Sequence, residues 1–302
     1  MMTNYLITII GPTAIGKTAL SIAIAKYFNT EILSSDSRQF YKEMNIGTAV
    51  PSQSELQAVK HHFIQHISIH DEYSVGHFEK DAIIKLDKLF EKYKVVVMAG
   101  GSGLYTNAVL YGLDDFPKVD PQIRKDLKLQ LKENGIASLQ TQLKELDTET
   151  YQNIDLDNHQ RLIRALEICV GTGKPFSTFQ TKNMVKRNFI PIKIGLTADR
   201  EIIYNRINRR VDLMIKNGLL SEAKNLFRHK DLNALQTVGY KELFCYLQGE
   251  YSLENAIEEI KKNTRRFAKR QLTWYRKDDE IKWFDYIEKP EVIVESINRL
   301  IV

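Results

Sequence analysis

The sequence predicts an α/β fold, a parallel sheet flanked by helices with a helical insertion domain, and three features carry that expectation. Short β-branched runs recur at Leu6 to Ile10, Glu31 to Ser35, Val95 to Ala99 and Ile192 to Leu196. They alternate with helical patterns and are apolar on both sides, as strands covered by helices on both faces must be. Between about Asp120 and Lys186 the strand signals stop and Lys, Gln, Glu and Leu dominate.

The first run ends at Gly11, and a helical pattern of Ala19, Leu20, Ile22, Ala23 and Ala25 begins after Thr18. The link, Gly11-Pro12-Thr13-Ala14-Ile15-Gly16-Lys17-Thr18, fits G-x-x-x-x-G-K-[ST] in its strand-to-helix context, which makes the sheet P-loop NTPase-like. The glycines let backbone N–H groups turn toward phosphate oxygens, Lys17 neutralises charge and Thr18 can ligand Mg²⁺. A pyrophosphate or a triphosphate fits such a cradle, so nucleotide and ATP binding are within its scope. The run Val95 to Ala99 lacks the terminal aspartate of a typical P-loop kinase or ATPase and continues as Gly100-Gly101-Ser102-Gly103-Leu104-Tyr105. The acidic residue well placed after a strand is Asp36.

Asp120-Pro121 reads as a cap and first-turn proline that opens the insertion. The expected division is residues 1–119, a helical insertion over 120–186, and core completion with C-terminal helices over 187–302. In the last part Asp199 is expected to cap a helix through Arg210. Further helices are expected around 219–229, 239–247 and 253–276, with an edge strand from Ile281 to Phe284. About 100° of rotation per helical residue groups Lys262, Arg265, Lys269 and Arg276 on one side of the 253–276 helix, and Ile260, Phe267 and Trp274 on the other. The first side is expected to meet phosphates and the second to pack on the core.

Composition sets outer bounds. The 302 residues carry a net charge of +5, which permits a nucleic-acid or pyrophosphate partner without requiring one. The two cysteines, Cys169 and Cys245, sit in apolar helical patterns, which argues against a disulfide framework and for a reducing cytoplasm. No basic leader and no apolar run approaching membrane-spanning length is visible, so neither secretion nor membrane insertion is expected. His61, His62, His66 and His70 cluster without matched acidic or cysteine partners and are assigned to loop and core rather than to zinc.

The chain resembles the tRNA dimethylallyltransferases (isopentenylpyrophosphate:tRNA transferases) along nearly its whole length. The resemblance rests on Gly11 to Thr18, Asp36 to Lys42, Ile46 to Ala49, Tyr73 to Val75, Gly100 to Tyr105, Gln160 to Glu167, Val238 to Glu242 and Thr264 to Trp274. It implies transfer of a dimethylallyl group from dimethylallyl pyrophosphate to N6 of the adenosine 3′ of the anticodon, with release of pyrophosphate. It further implies a monomer that uses Mg²⁺ as cofactor and the tRNA anticodon loop as partner. Asp36 would take the proton from N6, with a Mg²⁺ role through water left open; Lys17, Thr18 and Arg210 would act on the leaving group. Arg206 and Arg209 compete with Arg210 on spacing alone.

For the RNA, the resemblance implies contacts from Asp36, Ser37, Arg38 and Gln39, the last with an amide suited to an adenine edge. It adds Ser102, with Tyr105 as an apolar wall, and Arg124, Gln160, Arg161, Leu162, Ile163 and Arg164 in the insertion, beside Lys262, Arg265 and Lys269. The chain departs from the family pattern at Val50, where a lysine is usual, and at Ser102, where a threonine is usual. The rival readings are a small-metabolite kinase, a prenyltransferase acting on free AMP or ATP, and a non-catalytic RNA-binding module.

Overall fold

Six parallel strands form the sheet of the computed structural model, which describes residues 3–180 and 185–301. They are β1 (Asn4–Ile10), β2 (Ile32–Ser34), β3 (His61–His62), β4 (Val95–Ala99), β5 (Phe189–Thr197) and β6 (Lys282–Asp285), in the order β3-β2-β4-β1-β5-β6. Ile7 lies opposite Val97 on one side and Ile192 on the other, so the most apolar runs occupy the middle of the sheet. The expected edge strand near 281–284 is β6. The opposite edge, β3, is a two-residue strand where the sequence predicts loop.

The helices before the insertion are α1 (Lys17–Tyr27), α2 (Gln53–Ala58), α3 (Val75–Phe90) and α4 (Gly103–Tyr111). Strand alternation sends Ile7, Ile9, Val97 and Ile194 to one face, packed with Leu20 and Ile24 of α1, and Leu6, Leu33, Val96 and Met98 to the other, packed with Phe78 and Leu86 of α3. Burial on both faces explains why these strands are uniformly apolar.

After the insertion come α8 (Arg200–Lys216), α9 (Leu219–Leu226), α10 (Tyr240–Leu247), α11 (Leu253–Tyr275) and α12 (Pro290–Asn298). Asp199 precedes α8 without forming a side-chain cap bond, and the helix continues past Arg210 to Lys216. Val211, Leu219, Tyr240, Phe244 and Ile260 form a separate apolar cluster among α8 to α11.

The chain divides into two compact units: residues up to Tyr111 with those from Lys186 onward, and Gly112–Val185. The second unit thus begins before the expected Asp120. It contains α5 (Pro121–Leu146), α6 (Thr148–Asn153) and α7 (His159–Thr172). Asp120 accepts the Gln122 N–H and Pro121 opens α5. Gly135, at φ 74°, bends α5 partway along, and Leu139, Leu143, Leu162, Ile163 and Leu166 form the core of the unit.

Candidate functional site

Three loops meet at the carboxyl edge of the sheet, where open α/β folds bind ligands. The first, between β1 and α1, spans Gly11 to Gly16. Gly11 has φ 142°, and a Cβ there would stand 2.5 Å from the Leu196 carbonyl oxygen, so the loop requires glycine. Lys17 follows Gly16 as the first residue of α1, and its Nζ donates to the carbonyls of Gly11 (3.0 Å) and Pro12 (2.8 Å). Burial, opposed by nearby Asp36 and reinforced by Arg210, lowers its pKa from 10.5 to about 8. An anion in the loop would restore a stable ammonium.

α8 brings two arginines to this loop. Arg210 Nη1 donates to Thr13 Oγ1 (3.2 Å), and Arg206 Nε donates to the Ala14 carbonyl (2.7 Å). Burial also lowers the Arg210 pKa, against the pull of Asp36. Arg209 is exposed and lines none of the cavities around the loop. Geometry therefore sets Arg209 apart and places both Arg206 and Arg210 at the loop.

The second loop follows β2. Asp36 Oδ1 accepts the Arg38 N–H (3.1 Å), which fixes the turn, while Oδ2 faces the space in front of Gly101. The third follows β4, where Ser102 Oγ accepts the Ser37 N–H (3.1 Å) and lies 3.0 Å from Ser37 Oγ. Gln271, on α11, joins the first loop to the third. It accepts the Thr13 N–H through Oε1 (2.9 Å) and donates to the Gly101 carbonyl through Nε2 (2.8 Å).

The loop cavity contains Lys17, Thr18, Asp36, Arg206 and Arg210, and it adjoins an apolar hollow of about 110 Å³. Ile207, Val211, Met214 and Ile260 line the hollow, and Thr13, Asp36 and Arg210 border both spaces. The Gly47–Thr48 segment lies on its wall. Glu222 holds that segment by accepting the N–H groups of Asn45, Ile46 and Gly47 and the Tyr240 hydroxyl, at 2.6 to 3.1 Å.

Several expected RNA contacts are engaged differently. Gln39 Nε2 donates to the Ala49 carbonyl (3.0 Å) and Oε1 accepts from Ser34 Oγ (3.3 Å), bonds that brace the loop beside Asp36. Arg38 Nη1 donates to the Ala234 carbonyl. Leu162 and Ile163 are buried in the second unit and cannot meet RNA, because helical periodicity turns them inward between the exposed Arg161 and the half-buried Arg164. Arg124 and Arg164 both bond Glu167 Oε2 at 3.1 Å, and Gln160 is exposed.

On α11 the buried stripe is Ala256, Ile260, Ala268, Gln271 and Tyr275. Phe267 and Trp274, expected in the core, are each 38% exposed, since the stripe drifts away from a seven-residue repeat. Arg265 bonds Asn208 Oδ1 (2.7 Å) and stacks over Tyr204, so it joins helices rather than facing outward. Lys262 pairs with Glu259, whereas Lys269 and Arg276 are exposed. Tyr105 packs on Phe40 and Phe78 within the core under the site. The histidines are dispersed: His62 meets Glu31, His66 joins the rings of Phe40 and Tyr73, and His70 faces His229.

Sequence reasoning missed Gln271, Glu222 and the apolar wall. Gln271 left one signal, an amide on the otherwise apolar stripe of α11; Glu222 left none.

A glycine-lined loop, a carboxylate beside it and an apolar hollow beyond define a P-loop α/β protein. The sequence profile of the family described as IPP transferase matches residues 39–278, and the chain belongs to that family. It is 64% identical over 300 residues to the tRNA dimethylallyltransferase of Christiangramia forsetii, with 99% of each chain covered. The tRNA dimethylallyltransferase of Flavobacterium psychrophilum is 59% identical over 301 residues, 98% of each. Among solved structures, the tRNA isopentenylpyrophosphate transferase of Bacillus halodurans has a TM-score of 0.72 at 38% identity, covering 99% of this chain and 96% of that one. A eukaryotic dimethylallyltransferase acting on tRNA has a TM-score of 0.82 at 26% identity, covering 99% of this chain and 78% of that one.

Proposed function

We propose that the protein transfers a dimethylallyl group from dimethylallyl pyrophosphate to N6 of the adenosine 3′ of the anticodon in tRNA. The observation that carries this reading is the adjacency of the phosphate cradle to the apolar hollow, with Asp36 and Arg210 at their junction. A diphosphate in the cradle would extend its prenyl chain toward Ile207, Val211 and Met214 and present its allylic carbon to the gap near Asp36.

The exocyclic amine of adenine is a weak nucleophile, because its lone pair is delocalised into the ring. As N6 bonds to the allylic carbon, the carbon–oxygen bond breaks, pyrophosphate leaves with the electron pair, and Asp36 Oδ2 takes the N6 proton. Charge grows on the departing oxygens, where the loop N–H groups, Lys17 and Arg210 stabilise it more strongly than in the ground state. On binding the diphosphate, Lys17 would first exchange its bonds to Gly11 and Pro12 for bonds to phosphate. Ser37 and Ser102 border the acceptor side.

The donor set also fits Mg²⁺ carried on a diphosphate. Thr18 and Asp36 line one cavity, and no group of three His, Cys, Asp or Glu among the described residues is arranged to hold a metal. Thr18 would ligand the ion directly and Asp36 through water, and the ion would neutralise charge on the leaving group. Among the described residues no helix is long and apolar enough to cross a membrane.

Incubation with unmodified tRNA and isotopically labelled dimethylallyl pyrophosphate, with AMP and ATP as competing acceptors, tests the reading. Label is expected in N6-modified adenosine of the RNA. Label confined to free nucleotide would contradict an RNA acceptor.

A further inference from the structure

Behind the acceptor loops, on the face of the sheet that carries α4, lies a second cavity of about 540 Å³ that the chemistry above does not use. Its floor is built from Thr8 and Lys193, neighbours on β1 and β5, and its walls include Asn107 of α4 and Trp274 of α11. Its size falls within the range of small-ligand sites.

The polar inventory of this cavity is incomplete. Thr8 is fully buried, and its hydroxyl has no hydrogen-bond partner. Buried hydroxyls are normally paired, because an unmade bond costs about 1–3 kcal/mol. The half-buried Asn107 amide also makes no hydrogen bond among the described residues. Trp274 leans its ring against Gly103, where a Cβ would come within 2.4 Å, and keeps part of the ring open.

The charges lining the cavity, Lys193 and Lys277 against Asp278, Asp279 and Glu280, leave one excess negative charge. Lys193 Nζ is bound to Asp278 (2.6 Å) and Glu280 (2.6 Å), and the exposed Lys277 and Asp279 are of opposite sign. A phosphate would find no free pair of cations there. Unpaired hydrogen-bonding groups, a partly open aromatic ring and no net call for an anion suit a planar neutral heterocycle.

We propose that this cavity receives a nucleobase, and specifically a base of the acceptor strand next to the one being modified. The cavity shares its wall with the acceptor site. Thr106, on that wall, lies 3.0 Å from Ser35 through their hydroxyls, and Ser35 precedes Asp36. On this proposal a strand that delivers its target base to Asp36 passes the mouth of this cavity. Trp274 stacks on the neighbouring base while Asn107 and Thr8 bind its edge. The inference rests on the RNA acceptor proposed above.

The test uses a synthetic anticodon stem-loop RNA that carries the target adenosine, and a series in which each nucleotide flanking the target is made abasic. Asn107→Ala and Thr8→Val are each expected to raise KM for the intact RNA about fivefold to tenfold, while kcat and KM for dimethylallyl pyrophosphate stay within about twofold. One abasic RNA should impose a similar loss on the wild type and no further loss on the variants. Melting curves confirm that the variants fold, and Asn107→Ala, on a half-exposed side chain, keeps the test open if Thr8→Val does not.

Variant and abasic losses that multiply at every flanking position would overturn the proposal, as would variants that use intact RNA like the wild type. Free adenosine that saturates the wild type but not Asn107→Ala, without any coupling to RNA, would assign the cavity to a free nucleoside and contradict the strand assignment. Wild type that modifies no stem-loop at all would count against the transferase reading itself. The adenosine titration would still report on the cavity in that case.

Discussion

Lys17 is the residue whose ionisation the structure ties most closely to ligand binding. Its pKa of about 8 in the unliganded protein lies below the ordinary 10.5, so an unfolded chain binds the proton more tightly. Unliganded stability should therefore rise as pH increases from about 8 toward 10.5, the window in which only the unfolded state is protonated. Pyrophosphate binding should show the opposite trend and weaken above about pH 8, where a proton must be taken up with the anion. Calorimetry at pH 9 in buffers of different ionisation enthalpy should detect that uptake in the wild type and not in Lys17→Arg. Asp36→Asn should lower kcat by about 10²- to 10⁴-fold while leaving pyrophosphate affinity nearly unchanged; near-normal turnover would remove Asp36 as the base. Both residues were legible in the sequence, Lys17 because the G-x-x-x-x-G-K-[ST] pattern places it at the start of a helix and Asp36 because it follows a strand. The loop bond of Gln39 was not legible, because its partner carbonyl at Ala49 lies ten residues away across a loop whose path no local pattern encodes.

At the scale of elements, α7 and α11 show what periodicity can and cannot deliver. The extent of α11 followed from the sequence, though its inward face was displaced, whereas α7 was expected only as part of a helical insertion. Leu162 belongs to the core of its unit, so Leu162→Ala should cost about 2–5 kcal/mol in stability and leave pyrophosphate binding intact. Chemical denaturation beside a pyrophosphate titration checks both outcomes. On α11, Gln271 links two loops, and Gln271→Ala should lower kcat with little change in the melting temperature, because it loosens the relative position of cradle and acceptor loop. The order of the strands, with β4 between β2 and β1, lay outside the reach of the sequence. Strand runs reveal their own burial but not their neighbours.

For the whole molecule, charge placement decides how RNA would be held. Lys262 pairs with Glu259 and Arg265 bonds Asn208, which leaves Lys269 and Arg276 as the outward cations of the predicted basic face. Replacing Lys269 and Arg276 with glutamine should flatten the dependence of log affinity for tRNA on log salt by about 0.7 for each lost phosphate contact. Arg265→Gln should leave the slope unchanged and lower stability instead. The fold class and the phosphate cradle were readable because glycine spacing and β-branched runs are local signals. The apolar hollow was not, since Ile207, Val211, Met214 and Ile260 come from two helices that only packing brings together.

In the proposed reaction the cradle grips a diphosphate leaving from carbon. Stoichiometry measured in one reaction tests it most directly, with dimethylallyl pyrophosphate, ATP and unmodified tRNA all present. One pyrophosphate released for each N6-modified adenosine, with no phosphate released from ATP, is the predicted result. Efficient transfer or hydrolysis of the terminal phosphate of ATP, with the allylic diphosphate left intact, would contradict it.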